Sequence, residues 1–99
     1  MAKYRFTNKA VEDLENIWHY MVETWSEKQA DLYYEMLINF CQSLADNTAF
    51  GKKYDEIAED LYGFRANKHI IFYRATTQKE IEIIRILHGR MDLKNRISE

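Results

Sequence analysis

Proline is absent from this 99-residue chain, cysteine occurs once and glycine three times. Without proline, helix ends must be set by side-chain caps and by local turn residues rather than by a fixed φ. The single Cys41 excludes an internal disulfide, which fits a reducing compartment, and its place among apolar neighbours reads as plain core. The scattered glycines form no phosphate-cradling loop. His19, His69 and His88 stand apart, with no pair at i, i+4, so no metal and no cofactor is expected. No local Ser/His/Asp arrangement supports hydrolysis. Long apolar runs are missing too, and the opening "MAKYRFTNKAVEDL" lacks the apolar core of a signal peptide. A soluble cytoplasmic protein with no membrane partner is the expectation.

Hydrophobic residues make up 46% of the chain and aromatic residues 14%, enough to favour a folded globule over disorder. The length suits one domain, residues 1–99, burying roughly two thirds of the surface its unfolded chain would expose. The net charge of −2 hides a segregation: residues 1–9 carry +3, residues 10–60 carry −9 and residues 61–99 carry +4. A partner would therefore meet a strong dipole.

"KYRF" (3–6) alternates basic and aromatic residues, predicting a short strand with one buried face. Thr7 or Asn8 can cap a following helix whose Ala10, Val11, Leu14, Ile17, Trp18, Met21, Val22 and Trp25 fall on one arc, opposite Glu12, Glu15, Asn16, His19 and Glu23. Ser26 and Gln29 have capping-box spacing and start a second helix that runs to about Asp46, antiparallel to the first. Its apolar residues cover roughly 240° of the wheel, more than one sheet and one neighbouring helix need. Either it is the most central element, or it keeps an apolar groove for a partner, around Leu32, Met36 and Phe40 together with Trp18, Val22 and Trp25 of the first helix.

After the polar stretch "NTAFGKKYDEIAEDL", strands are predicted at "YGFR" (62–65), "HIIFYR" (69–74) and "IEIIRILH" (81–88). Asn67 and Lys68 can make a two-residue hairpin turn, with Asn67 at positive φ, and "TTQK" the next connection. "MDLKNRIS" reads as a short helix or a tail. The expected fold is α+β in the order β-α-α-β-β-β, with a helical hairpin on one face of a four-stranded, mainly antiparallel sheet.

The segment "IEIIRILHGRMD" (81–92) is the most informative. Alternation places Ile81, Ile83, Arg85 and Leu87 on one face and Glu82, Ile84, Ile86 and His88 on the other. Both faces are largely apolar, yet an arginine sits at the centre and a charged cluster at the end. The basic residues of the strand region, Arg65, Lys68, Arg74, Arg85, His88 and Arg90, either snorkel and pair with Glu80, Glu82 and Asp92, or form a face for an acidic partner or nucleic acid. Such a face would also suit an RNase.

"AVEDLENIW", "LADNTAFGKKYDEI", "HIIFYR" and "IEIIRILHGRMD", in this spacing and over almost the whole chain, resemble the ParE toxins of the RelE/ParE superfamily. The family loop after the second helix usually contains proline where this chain has Thr48. The resemblance implies a toxin of a type II toxin-antitoxin module that inhibits DNA gyrase without enzymatic activity, in hetero-oligomeric complex with a ParD-type antitoxin and without sequence-specific contact to nucleic acid. Target contacts then fall on His88, Arg90, Met91 and Asp92, and antitoxin contacts on Trp18, Val22, Trp25, Leu32, Met36 and Phe40. The runner-up is a RelE-like ribosome-dependent mRNA endoribonuclease using Arg65, Arg74, His88 and Arg90, although no aromatic residue follows Tyr73. A non-toxic binding module stands third.

Overall fold

Thr7 and Ser26 set the helix starts in this proline-free chain. In the computed structural model, which describes residues 2–77 and 79–98, the Thr7 Oγ1 accepts the Ala10 N–H (3.1 Å) at the head of helix α1, Asn8–Thr24. The Ser26 Oγ accepts the Gln29 N–H (3.1 Å) at the head of α2, Glu27–Asp46. Caps of this kind contribute about 1 kcal/mol each. Only Trp25 and Ser26 separate the helices, so they fold back on each other as an antiparallel hairpin.

The strands are β1 (Lys3–Phe6), β2 (Lys52–Lys53), β3 (Tyr62–Ala66), β4 (His69–Thr77) and β5 (Glu80–His88), and Leu93–Ser98 forms a third helix, α3. They make one mixed sheet in the order β1-β5-β4-β3-β2, with β1 parallel to β5 and the other pairs antiparallel. The sheet therefore has five strands rather than four, because Lys52 and Lys53, read from sequence as loop, pair with Gly63 and Tyr62. Asn67 takes φ 59°, as its place in the β3–β4 turn requires. The "TTQK" connection includes Gln78, which lies outside the described residues.

Ala10 and Leu14 of α1 and Leu37, Cys41 and Leu44 of α2 pack on Ile71, Tyr73, Ile81, Ile83 and Ile86. Burial pushes the Cys41 thiol up to about 12, so it stays protonated and inert, as a core cysteine does. The opposite sheet face holds a smaller cluster of Leu61, Ile70, Phe72 and Leu87, covered by Tyr54, Ile57 and Ala58 from the β2–β3 loop and by Leu93 and Ile97 of α3. Both faces of β5 are apolar because both are covered from within the chain.

The strict alternation expected along β5 fails in the middle of the strand. Tyr73 pairs with Ile83 but Phe72 pairs with Arg85, so Ile84 is an extra residue opposite one step of β4. The bulge moves Ile86 onto the helix face with Ile81 and Ile83, and leaves Ile84 and Leu87 on the other. Thr7 holds it in place: it donates its Oγ1–H to the Ile84 carbonyl (2.8 Å) and its N–H to the Ile83 carbonyl (3.1 Å), just where β1 stops pairing.

The loop after α2 is fastened by a core tyrosine instead of a proline. The Tyr73 hydroxyl donates to the Thr48 carbonyl (2.7 Å) and accepts the Gly51 N–H (3.0 Å). Any side chain at Gly51 would run into the Tyr73 ring, so close approach rather than positive φ demands glycine there.

Candidate functional site at the end of β5

Arg85 is 8% exposed and lies on no basic surface. Its Nε and Nη2 donate to the two carboxylate oxygens of Asp13 on α1 (2.8 and 2.9 Å), and its Nη1 to the Arg96 carbonyl on α3 (2.6 Å). Asp13 Oδ2 also accepts the Ile86 N–H (3.0 Å). Beyond Phe6 no strand continues beside β5, so Asp13 supplies the hydrogen bond a strand would have made. The arginine at the centre of an apolar strand is thus a strut joining α1, β5 and α3. Sequence reasoning missed Asp13, although its position at the margin of the apolar arc of α1, beside Ala10 and Ile17, was a signal.

Beyond this strut, the β3–β4 turn and the end of β5 come together beneath α2. His69 and His88 are paired across β4 and β5 with rings edge to face, centroids 5.4 Å apart. The Tyr33 hydroxyl of α2 lies 2.6 Å from His69 Nδ1, within hydrogen-bond distance. Burial first, then the neighbouring His88 and Lys68, push His69 down to about 4, against the pull of Asp13. Burial also raises the Tyr33 phenol. The only sequence sign of this cluster was an aromatic residue and two histidines in otherwise apolar elements, and Tyr33 and His69 are 36 residues apart.

His88, Arg90, Met91 and Asp92 form a tight turn that follows. Gly89 donates its N–H to the Lys68 carbonyl (3.0 Å), Arg90 to His88 Nδ1 (3.1 Å) and Met91 to the His88 carbonyl (3.0 Å). Arg90 and Met91 project outward, Met91 being 41% exposed. Asp92 has a local partner, its carboxylate accepting from the Asn95 side chain (2.6 Å) at the start of α3.

Of the four basic residues expected for a nuclease, Arg65 reaches the turn that carries His88 and Arg90, and Arg74 stands apart. Arg65 pairs in register with Ile70, on the sheet face opposite His69, and its guanidinium lies against Gly89. Arg74 stands five residues beyond His69 along β4, about 17 Å at the rise of a strand, with its guanidinium near the Glu59 carbonyl (3.3 Å). Glu80 and Glu82, considered as partners for these arginines, instead face Arg5 of β1 (3.8 and 3.5 Å).

The residues expected to bind an antitoxin lie on two flanks of α2. Trp18 donates its indole N–H to Asp31 (2.9 Å) and lines a depression between the helices with Leu14, Tyr34 and Glu35. Leu32, Met36 and Phe40 line a second depression on the flank turned toward β3, where Phe40 meets Phe64 with centroids 5.1 Å apart. Leu32 is 51% exposed, Met36 and Phe40 half-buried, Val22 half-buried, and Trp25 stands 67% exposed at the end of α1.

Residues 4–93 match the family described as the ParE toxin of the type II toxin-antitoxin system parDE. The chain is 33% identical over 92 residues to Toxin ParE1 of Mycobacterium tuberculosis, covering 93% of this chain and 94% of that one. It is 29% identical over 94 residues to Toxin ParE1 of Caulobacter vibrioides, covering 95% and 96%. Among solved structures, a chain of the chromosomal ParDE system from P. aeruginosa superposes with a TM-score of 0.76 at 20% identity, covering 89% of this chain and 96% of that one. A chain of the RelBE2 toxin-antitoxin complex from M. tuberculosis gives 0.65 at 18% identity, covering 88% and 96%. Those structural likenesses show the fold, and the sequence matches show the lineage: the chain belongs to the ParE toxin family of type II toxin-antitoxin systems.

Proposed function

We propose that this ParE-family toxin acts in the cytoplasm by binding DNA gyrase, without chemistry of its own, and that a ParD-type antitoxin neutralises it in a hetero-oligomeric complex. The observation that carries the non-enzymatic reading is how few cations stand free at the end of β5, where Arg65 reaches the His88–Arg90 turn but Arg74 and Arg85 are held elsewhere. Phosphoryl chemistry needs several charges within a few ångströms of one phosphate, whereas Arg74 stands at the far end of β4, Arg85 is locked to Asp13, and Arg65 reaches the His88–Arg90 turn from the sheet face opposite the His69–His88 pair. What remains for a target is the projecting turn, where Arg90 and Met91 combine charge and apolar surface and His88 and Asp92 hold the backbone. For the antitoxin, the Leu32, Met36 and Phe40 flank offers apolar area to an amphipathic segment.

A second reading, ribosome-dependent mRNA cleavage, rests on Tyr33, His69 and His88, where groups able to move protons meet. One pair of assays separates the two. Purified protein is placed with gyrase and supercoiled DNA, and separately with translating ribosomes and message. Gyrase inhibition without message cleavage, lost on Arg90→Ala/Met91→Ala and tolerant of His88→Ala, is the expected result. Message cleavage that falls roughly 100-fold in His88→Ala, with normal supercoiling, would replace the proposal with the nuclease.

A further inference from the structure

Three cations gather where the β3–β4 turn meets the end of β5. Arg65 reaches across β4, and its guanidinium packs against Gly89 so closely that a Cβ at position 89 would stand 2.7 Å from Nη1 and 3.2 Å from Cζ and Nη2. Only glycine leaves that room. Gly89 in turn gives its N–H to the Lys68 carbonyl (3.0 Å), and the next residue, Arg90, is pinned through its own N–H to His88 Nδ1 (3.1 Å). The backbone thus fixes three attachment points side by side, and Arg65, Lys68 and Arg90 are all exposed. Carboxylates close by in the fold are engaged elsewhere: Asp92 accepts from Asn95, and Asp13 belongs to Arg85. Among the described residues, the ion pairs fall to Arg5 and Arg85 and none to these three. Like charges held together without a counter-charge raise the local potential, so this corner is where a multiply charged anion gains most.

We propose that this cationic corner grips the phosphate backbone of the DNA duplex that gyrase holds, beside the contact that Arg90 and Met91 make with the enzyme itself. The inference rests on the gyrase reading above and gives that target a second component. A few fixed charges can hold a phosphodiester and position the protein on it without transferring it, which agrees with a non-enzymatic toxin. A duplex is favoured over a single-stranded message, because single strands are held by stacking their bases on aromatic side chains. The aromatic residues most exposed here, Tyr20, Trp25, Tyr34 and Phe50, lie instead on the helices and in the loop after α2. An acidic protein surface fits less well, since the core of such an interface is apolar and aromatic and Met91 is the large apolar side chain this corner exposes. With a net charge of −2, the chain has no general attraction for DNA, so any binding reports the local patch.

The test titrates the purified full chain into a short fluorescent DNA duplex of mixed sequence, over a range of salt, and follows anisotropy. For three phosphate contacts the logarithm of affinity should fall with the logarithm of salt at a slope of roughly −2 to −3, and Arg65→Gln and Lys68→Gln should each flatten it by about 1. In the supercoiling assay, the Arg65→Gln/Lys68→Gln variant, folded by circular dichroism, should need about 10-fold more protein for the same inhibition of gyrase. A slope unchanged in both single variants, or gyrase inhibition undiminished in the double variant, overturns the phosphate contact and spares the gyrase reading. Duplex binding at the expected slope by a protein that leaves gyrase active would overturn that reading and leave the phosphate corner standing. Tighter binding of single-stranded RNA or of a poly-glutamate peptide through the same residues would give the corner to a message or to an acidic protein and overturn the proposal.

Discussion

Replacing Asp13 with asparagine isolates the charge in the strut at the centre of this fold. Asparagine keeps an oxygen for the Ile86 N–H but leaves Arg85, 8% exposed, without its carboxylate. Removing one partner of a buried ion pair costs about 3–5 kcal/mol, because the other charge remains buried. A domain of this length has roughly 5–15 kcal/mol in total. The variant should therefore lose a large share of its stability, with the midpoint in urea falling by about 2 M at a slope near 2 kcal/mol per M. The informative comparison is Asp13→Asn/Arg85→Met. Removing both charges while keeping the Ile86 acceptor should recover at least half of the loss, since an apolar replacement of a buried pair is often close to neutral. The Arg96 carbonyl would still lose its donor, so recovery should be incomplete. Equilibrium urea unfolding followed by circular dichroism, with the four proteins of the cycle, measures this directly. An Asp13→Asn loss below about 1 kcal/mol, or a double variant no better than the single, would refute the account of Arg85 as a buried strut.

Further consequences concern the loop, the histidine cluster and the apolar flank. Gly51→Ala should destabilise by about 2 kcal/mol or more, because the new methyl meets the Tyr73 ring; thermal unfolding unchanged within a degree would show that the loop is not clamped. His69, held at about 4 when folded against an ordinary 6.5, contributes stability that is complete above pH 6.5 and is lost as pH falls from there toward 4. Its ring remains partly open to solvent, so the loss should be about 1–2 kcal/mol, read as the difference between wild type and His69→Asn across that window, and parallel pH profiles would refute it. Met36→Glu/Phe40→Glu should weaken antitoxin binding at least 10-fold in titration calorimetry, whereas Leu32→Glu, at a half-exposed position, should do so with stability changed by no more than about 0.5 kcal/mol. Undiminished affinity in Leu32→Glu would remove this flank from the interface.

Much of the fold was legible because it depends on neighbours in sequence. Thr7 and Ser26 cap helices through atoms three residues away, Asn67 takes the positive φ its turn needs, and the apolar arcs of α1 and α2 face the sheet as their period dictates. The motif order by itself also placed the chain among the ParE toxins. Other features were decided by contacts between distant segments. The bulge at Ile84 shifts the faces of β5 because Thr7, 77 residues earlier, holds that carbonyl, and no alternation pattern contains this. Arg85 looked like surface charge until Asp13, 72 residues away, closed on it. Trp18 and Met36 shared one apolar surplus on paper yet fall on opposite flanks of α2, since a helical wheel records direction but not which neighbour stands there. The sequence by itself determined the elements, their caps and the lineage, because these are written in spacings of two to four residues. Tertiary structure alone decided which charges are buried and which histidine is pushed down by burial, because each depends on how far the chain brings remote groups together and how much water it leaves between them.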